Sequence, residues 1–331
     1  MRSIVLVLCA LGLTTACDSK PSAAPADAEP AAPAAEASAE PEAEEAPAND
    51  RLAAARADKE RKLARWTPAL QDQAATLRGT AWADVGAGLD AILASEHREP
   101  GNADRDGARH PKETLAFFGL TPSMHVFEVG QGAGWYTEIL APLLAKQGKL
   151  YLAGYDADAE DARIRGAAEQ TQLFLEGAAN LYEDVGLVTQ PVPGTSMGEP
   201  DSMDMVLVIR MMHNVHRFEL WDGWMNAAHT ALKPGGVLAV VQHRAADDAS
   251  PDETAPKGYM PEPWLVTKIE SYGFKLEARS DINANAKDTK DYEAGVWALP
   301  PTLAGDEANA DAMRAIGESD RSTLKFVKVA R

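Results

Sequence analysis

The chain has 331 residues, 45% of them hydrophobic, and a formal charge of −18. That apolar share supplies a full core, while the acidic excess leaves no basic footprint for nucleic acid or for an anionic lipid surface. Cys9 and Cys17 are the only cysteines and both lie near the N-terminus, which excludes disulfides, zinc–thiolate sites and a cysteine nucleophile from the rest of the chain.

The opening stretch, "MRSIVLVLCALGLTTACDSK", has a basic Arg2, an apolar run and small residues before Cys17, the layout of an export signal over residues 1–17. It is too short to span a membrane as a stable helix. Its "LTTAC" ending resembles the lipobox of bacterial lipoproteins, which implies a lipid on Cys17, an envelope location and membrane contact through that lipid alone. Residues 18–50 contain Ala, Pro, Glu and Ser with almost no large apolar side chain, so they cannot bury enough surface to offset ordering entropy and read as a tether.

Residues 51–121 read as a helical extension. Apolar positions at Leu52, Leu63, Trp66, Leu70 and Leu77 predict helices broken at Pro68, and "WADVGAGLDAILAS" predicts another. The charge-dense "EHREPGNADRDGARH" follows, then a helix started by Pro111 and stopped by Gly119.

From Pro122 strand and helix patterns alternate: "MHVFEVG", "KLYLAGYD", "VGLVTQPV", "SMDMVLVIR" and "GVLAVVQHR" read as strands, separated by helical stretches such as "WYTEILAPLLAKQ" and "AEDARIRGAAEQTQLFLEGAANLY". The pattern predicts an α/β, doubly wound, Rossmann-like domain over residues 122–331, with a parallel sheet covered on both faces. The end differs, because "FKLEARS" and "STLKFVKVA" are joined by a long polar excursion, which suggests an antiparallel finish and a segment that is either functional or tightly packed.

The first strand runs into Gly130, Gly132 and Gly134, with Trp135 where a dinucleotide fingerprint needs its third glycine. The alternation after Glu128 instead resembles motif I of the class I S-adenosylmethionine-dependent methyltransferases. "LKPGGVLAVV", "GFKLEARS" and "STLKFVKVA" are similar to the fifth, sixth and seventh strands of those enzymes. Together with "RDGARHPKETLAFFGL" and "AIGESDRSTLKFVK", they resemble a family of exported bacterial methyltransferases. The resemblance implies a seven-stranded sheet with an antiparallel last strand. It also implies an S-adenosyl-L-methionine site formed by Glu128, Gly130, Gln131, Gly132, Gly134, Tyr136, Asp156 and Arg210, with Asp156 on the ribose hydroxyls. A helix cap near Asp158 is the other role open to Asp156.

In an open parallel sheet the ligand lies outside the carboxyl ends of the strands. Arg210, His213 and Asn214 follow the fourth strand, Gln242 and His243 end the fifth, and His110 precedes the first by one helix. His213 or His243 is the expected general base, with Asn214 and Arg210 positioning a small-molecule acceptor and His110 a third candidate. No short metal-ligand motif is present. Arg105, Asp106, Arg109 and Glu113 either bind an anionic acceptor or form a solvated helix face, and "GESDR" is read as a salt-bridged turn or a wall of the site. A ligand-binding module without catalysis and a hydrolase or lyase using the histidines remain as alternatives. The sequence does not give the oligomeric state.

Overall fold

A computed structural model describes residues 48–190, 194–305 and 307–331. The signal, the tether up to residue 47 and Cys17 lie outside the described residues. Ala46–Arg331 form one compact unit.

Three helices come first: α1 (Ala48–Arg65), α2 (Pro68–Gly79) and α3 (Val85–Leu93). The break falls at Pro68, with Thr67 capping the Leu70 N–H, and Asp84 caps α3 through the Ala87 N–H. The short α4 (Asp106–Arg109) turns through a left-handed His110 into α5 (Pro111–Phe118), which Gly119 ends at φ 79°.

Then come β1 (His125–Val129), α6 (Thr137–Leu144), β2 (Lys149–Tyr155), α7 (Ala162–Glu176), α8 (Ala179–Tyr182) and β3 (Gly186–Gln190). The long helix expected after β2 is two, because Ala178 leaves helical geometry at φ −142°. There follow β4 (Met203–Ile209), α9 (Met212–Arg217), α10 (Trp221–Ala231), β5 (Leu232–His243), α11 (Pro251–Thr254), α12 (Glu262–Glu270), β6 (Phe274–Ser280), α13 (Ala310–Ile316) and β7 (Arg321–Lys328). β5 begins earlier than expected: Leu232 already pairs with Met203, and the "KPGG" that reads as a turn bulges out before pairing resumes at Val237.

The sheet has seven strands in the order β3-β2-β1-β4-β5-β7-β6. β7 runs antiparallel to both β5 and β6, and the other pairs are parallel. Strand order reverses between β1 and β4, and a crevice opens at such a switch point.

Two apolar clusters cover the two faces. One joins Val126, Leu150, Met205 and Ala239 to Leu77, Leu89, Ile92, Leu115 and Phe118 of the N-terminal helices, so those helices complete a face of the sheet. Between them lies α6, whose residues are all buried. Pro142 within α6 cannot donate to the Glu138 carbonyl one turn back, and His97 Nε2 donates to that carbonyl instead, at 2.9 Å. Gly88 lets α3 approach closely, since a Cβ there would meet Leu143 at 2.5 Å.

Candidate active site

The loop after β1 holds Gly130, Gly132 and Gly134 at φ 65°, 54° and 89°, a region that side chains rarely adopt. Their surroundings separate their roles. A Cβ at Gly134 would meet the Phe174 ring at 2.7 Å and the Tyr182 hydroxyl at 3.2 Å, so this glycine admits α7 and α8 against the loop. At Gly130 a Cβ would touch Met211 at 3.2 Å. At Gly132 the nearest atom is 4.0 Å away. Gly132 opens, with Gln131 and Ala133, onto a cleft of about 310 Å³ that also carries Tyr155, Thr171 and Phe174, together with Ala55 and Asp58 of α1. A larger hollow of about 690 Å³ adjoins it at Tyr155 and Thr171. These residues fit a nucleoside with an amino-acid tail, because the one position where a side chain would fill the cradle is a left-handed glycine with open space above it.

Glu128 does not face this cleft. It is buried, accepts from Thr137 Oγ1 at 2.8 Å and so ties β1 to the start of α6. Burial pushes its carboxyl up to about 7, opposed by the Thr137 hydrogen bond. Tyr136 also points away: it packs edge-on against Trp135 at 4.7 Å and lines a small cavity with Arg109, Arg210 and Arg321. Asp156 follows β2 on the surface, where one carboxylate oxygen accepts from the Asp158 N–H at 2.9 Å. It caps no helix, since α7 begins at Ala162 with Asp161 as its cap.

The other side of the edge is filled. Arg210 sits at φ 57° just after β4, and its N–H donates to the Val241 carbonyl at 2.6 Å. The fully buried Gln242 organises the histidines. Its Oε1 accepts from the Met212 N–H at 3.0 Å, and its Nε2 donates to the Gly258 carbonyl at 2.9 Å. Those two bonds fix the amide orientation, so the contact of Nε2 with His213 Nδ1 at 3.3 Å makes that nitrogen an acceptor. Neutral His213 therefore carries its proton on Nε2, where it is a donor and not the base expected from sequence. Burial lowers His213 to about 4, and a bond accepted by Nδ1 favours the same neutral form, so the ring is neutral at pH 7.

The His243 ring lies 6.0 Å from that of His213, and Trp297 closes the other side of His213 at 6.0 Å. His243 Nδ1 bonds Ser319 Oγ, and Nε2 has no partner among the described residues. Burial, then Arg210 and His213, hold His243 well below the usual histidine range. Asn214 makes only a long contact with Met211 Sδ, at 3.9 Å. His216 turns to Asp252 at 2.7 Å and to Trp221, away from the other two. His110 shapes the turn over this edge, where the Arg321 guanidinium donates to the Ala108 carbonyl and Asn283 Nδ2 donates to Thr114 Oγ1 at 3.0 Å.

The "INAN" and "GESDR" segments are packed, not solvated. Asn285 Nδ2 bridges the Ile316 and Glu318 carbonyls at 3.0 and 2.7 Å, and Glu318, Ser319, Asp320 and Arg321 are all buried. Ser319 has no sequence signal of its own, since it stands among charged residues that read as a surface turn. The approach of α1 to the glycine cleft is equally silent, because the α1 residues that line the cleft are Ala55 and Asp58, which carry no ligand-binding pattern.

An alternating glycine loop at the switch point of a sheet ordered β3-β2-β1-β4-β5-β7-β6, with β7 antiparallel, defines the class I methyltransferase fold. A family model described as "Methyltransferase domain" matches residues 103–275, just over half of the chain, and the chain belongs to that family. No curated protein sequence matches it. Similar solved structures include a SAM-dependent methyltransferase from Aquifex aeolicus, 16% identical over 70% of this chain and 94% of that one, with a TM-score of 0.45. The cyclase SpnF is 15% identical over 71% and 86%, with a TM-score of 0.47. A 1,6-didemethyltoxoflavin-N1-methyltransferase from Burkholderia thailandensis, solved with S-adenosylhomocysteine bound, is 13% identical over 69% and 80%, with a TM-score of 0.41.

Proposed function

We propose that the chain transfers the methyl group of S-adenosylmethionine to a small-molecule acceptor at the carboxyl edge of its sheet. The observation that carries this reading is Gly132, left-handed and open to a cleft of about 310 Å³, while His213 on α9 and His243 at the end of β5 stand 6.0 Å apart on the β4–β5 side of the same sheet edge. When bound, the cofactor supplies a methyl group on a sulfonium leaving group. The loop backbone at Gln131–Ala133 cradles it, and the Asp156 carboxylate at the end of β2 is available to its ribose hydroxyls. Displacement at the methyl carbon needs alignment first and a base only where the acceptor's nucleophile carries a proton. His243 Nε2 fills that role if Nδ1–H donates to Ser319 Oγ, and His213 Nε2–H orients the acceptor.

Calorimetric titration of S-adenosylmethionine and S-adenosylhomocysteine into the full chain tests the reading. Micromolar binding that Gly132→Leu abolishes is expected, while a wild type that binds neither ligand overturns it. The resemblance of "LTTAC" to a lipobox supports a second proposal, that the chain is exported and anchored by lipid at Cys17. Mass spectrometry of the mature N-terminal peptide decides this: a diacylglyceryl-modified Cys17 is expected, and an unmodified residue at any other cleavage point overturns it.

A further inference from the structure

At the β4–β5 end of the edge, Arg105, Arg109, Arg210 and Arg321 all pair with one carboxylate, that of Glu318, at 3.3, 2.9, 3.9 and 2.5 Å. Arg109, Arg321 and Glu318 are each at most 6% exposed. Two buried guanidinium groups and two partly exposed ones against one carboxylate leave an excess of positive charge, and its buried part needs a counter-ion or compensating dipoles.

Among the described residues the cluster has more unpaired donors than acceptors, with Asn283 Oδ1 the one unpaired acceptor that lines the same cavity. Arg109 spends Nε on both Glu318 oxygens, at 2.9 and 3.0 Å, and among the described residues Nη1 and Nη2 have no partner. Arg321 Nε is also without one. The Trp135 ring, 4.9 Å from the Arg109 guanidinium, offers a weak cation–π contact in place of an anion. Burial, reinforced by the neighbouring arginines, lowers Arg109 to about 9 and Arg210 to about 10.

Arg109, Arg210 and Arg321 line a cavity of only about 10 Å³ with Tyr136, Val241 and Asn283. Of its lining arginines only Arg210 is partly exposed, at 26% of the side chain, and Arg105, equally exposed, reaches Glu318 from outside the cavity. The cavity holds no more than a water molecule, so an oxyanion reaches the buried guanidiniums by displacing the Arg210 side chain.

The cofactor does not correct the imbalance. Its amino-acid end carries one ammonium and one carboxylate, and its sulfonium is positive, so it brings no net negative charge. Given the methyltransferase reading above, we propose that the arginine cluster receives a carboxylate or phosphate group of the methyl acceptor, so that the acceptor is an anion. Guanidinium forks match such oxyanions in shape as well as charge. The field of the same arginines reaches His243, which they help to keep neutral beside the incoming group.

Inorganic phosphate, titrated calorimetrically into the full chain saturated with S-adenosylhomocysteine, tests this. Phosphate binding should weaken by about tenfold in Arg109→Met and in Arg210→Met, while S-adenosylhomocysteine affinity changes by less than about threefold. Phosphate binding that is absent in the wild type, or unchanged in both variants, overturns the proposal. So does a loss of S-adenosylhomocysteine affinity in the variants that 5′-methylthioadenosine does not share, because the cluster would then hold the cofactor's amino-acid end. Arg109→Met leaves Glu318 paired with Arg321, and Arg210→Met removes a partly exposed group, so thermal unfolding curves identify any variant that fails to fold. A wild type that binds no S-adenosylhomocysteine counts against the methyltransferase reading alone, and phosphate titration of the ligand-free chain and its two variants then decides the anion site.

Discussion

On the β2 side of Gly130 the edge of the sheet is a cleft of about 310 Å³ roofed in part by Ala55 and Asp58, whereas on the β4–β5 side the space shrinks to about 10 Å³. The open side is held by surface ion pairs between α1 and α7, Arg56 with Glu169 and Lys59 with Glu176, both at 2.5 Å. The closed side is held by buried charge around Glu318 and by the Gln242 bonds. Exposed pairs are cheap to break and buried ones are not. A ligand can therefore come and go at the glycine cleft by displacing little, while the histidines and the buried Arg109 and Arg321 keep fixed positions.

The largest effect that tests this contrast is at Glu318. Glu318→Gln removes the carboxylate shared by four guanidiniums and should cost about 3–5 kcal/mol of unfolding free energy, read from denaturant melts. A loss near that of a surface pair would show the closed side to be solvated after all.

The buried histidines give the next effect, as a dependence on pH. Burial holds both His97 and His213 down to about 4. As pH falls below the unfolded value near 6.5, the unfolded chain takes up protons that the folded chain refuses until about pH 4. Stability should drop through that window by about 3 kcal/mol per histidine. Glu128, kept protonated up to about 7, acts in the opposite sense over the upper part of the same range. Glu318, which Arg109, Arg321 and Arg210 hold near 2 against the effect of burial, adds a further loss only below its unfolded value near 4.5. His213→Asn should flatten the slope of stability against pH by about one proton, measured by urea titration at a series of pH values.

Gly134→Ala meets both a positive φ and the Phe174 ring, so about 2–4 kcal/mol is expected from backbone strain and overpacking together. Gly132→Ala has the strain without the clash and should cost about 1–2 kcal/mol, a difference that the two melts read directly. The smallest effect is on the open side: Lys59→Ala should change stability by about 0.2–1 kcal/mol and lose that difference at high salt.

The order of strands and helices was legible because each strand is a short apolar run and each helix repeats at its own period, signals that survive without neighbours. The same holds for the breaks at Pro68 and Gly119 and for the alternating glycines. The site was legible as an edge and a set of residue types: Arg210, His213 and His243 do meet there. Their roles were not, since Glu128 proved to brace Thr137, Tyr136 turned to the arginines and His213 became a donor through Gln242. The last two depend on partners distant in sequence, and the first on the angle at which α6 leaves the glycine loop, which sets Thr137 against Glu128.

By itself, then, the sequence determined the alternation of strand and helix and the loop whose glycines must go left-handed, both properties of local pattern and backbone sterics. Beyond the pair of Glu318 with Arg321 inside "GESDR", only the tertiary structure decided which charges meet at this site. Glu318 gathers Arg105, Arg109 and Arg321 from segments that are far apart or adjacent with equal ease, because burial removes the water that would otherwise screen them and forces each charged group to find a partner across the fold.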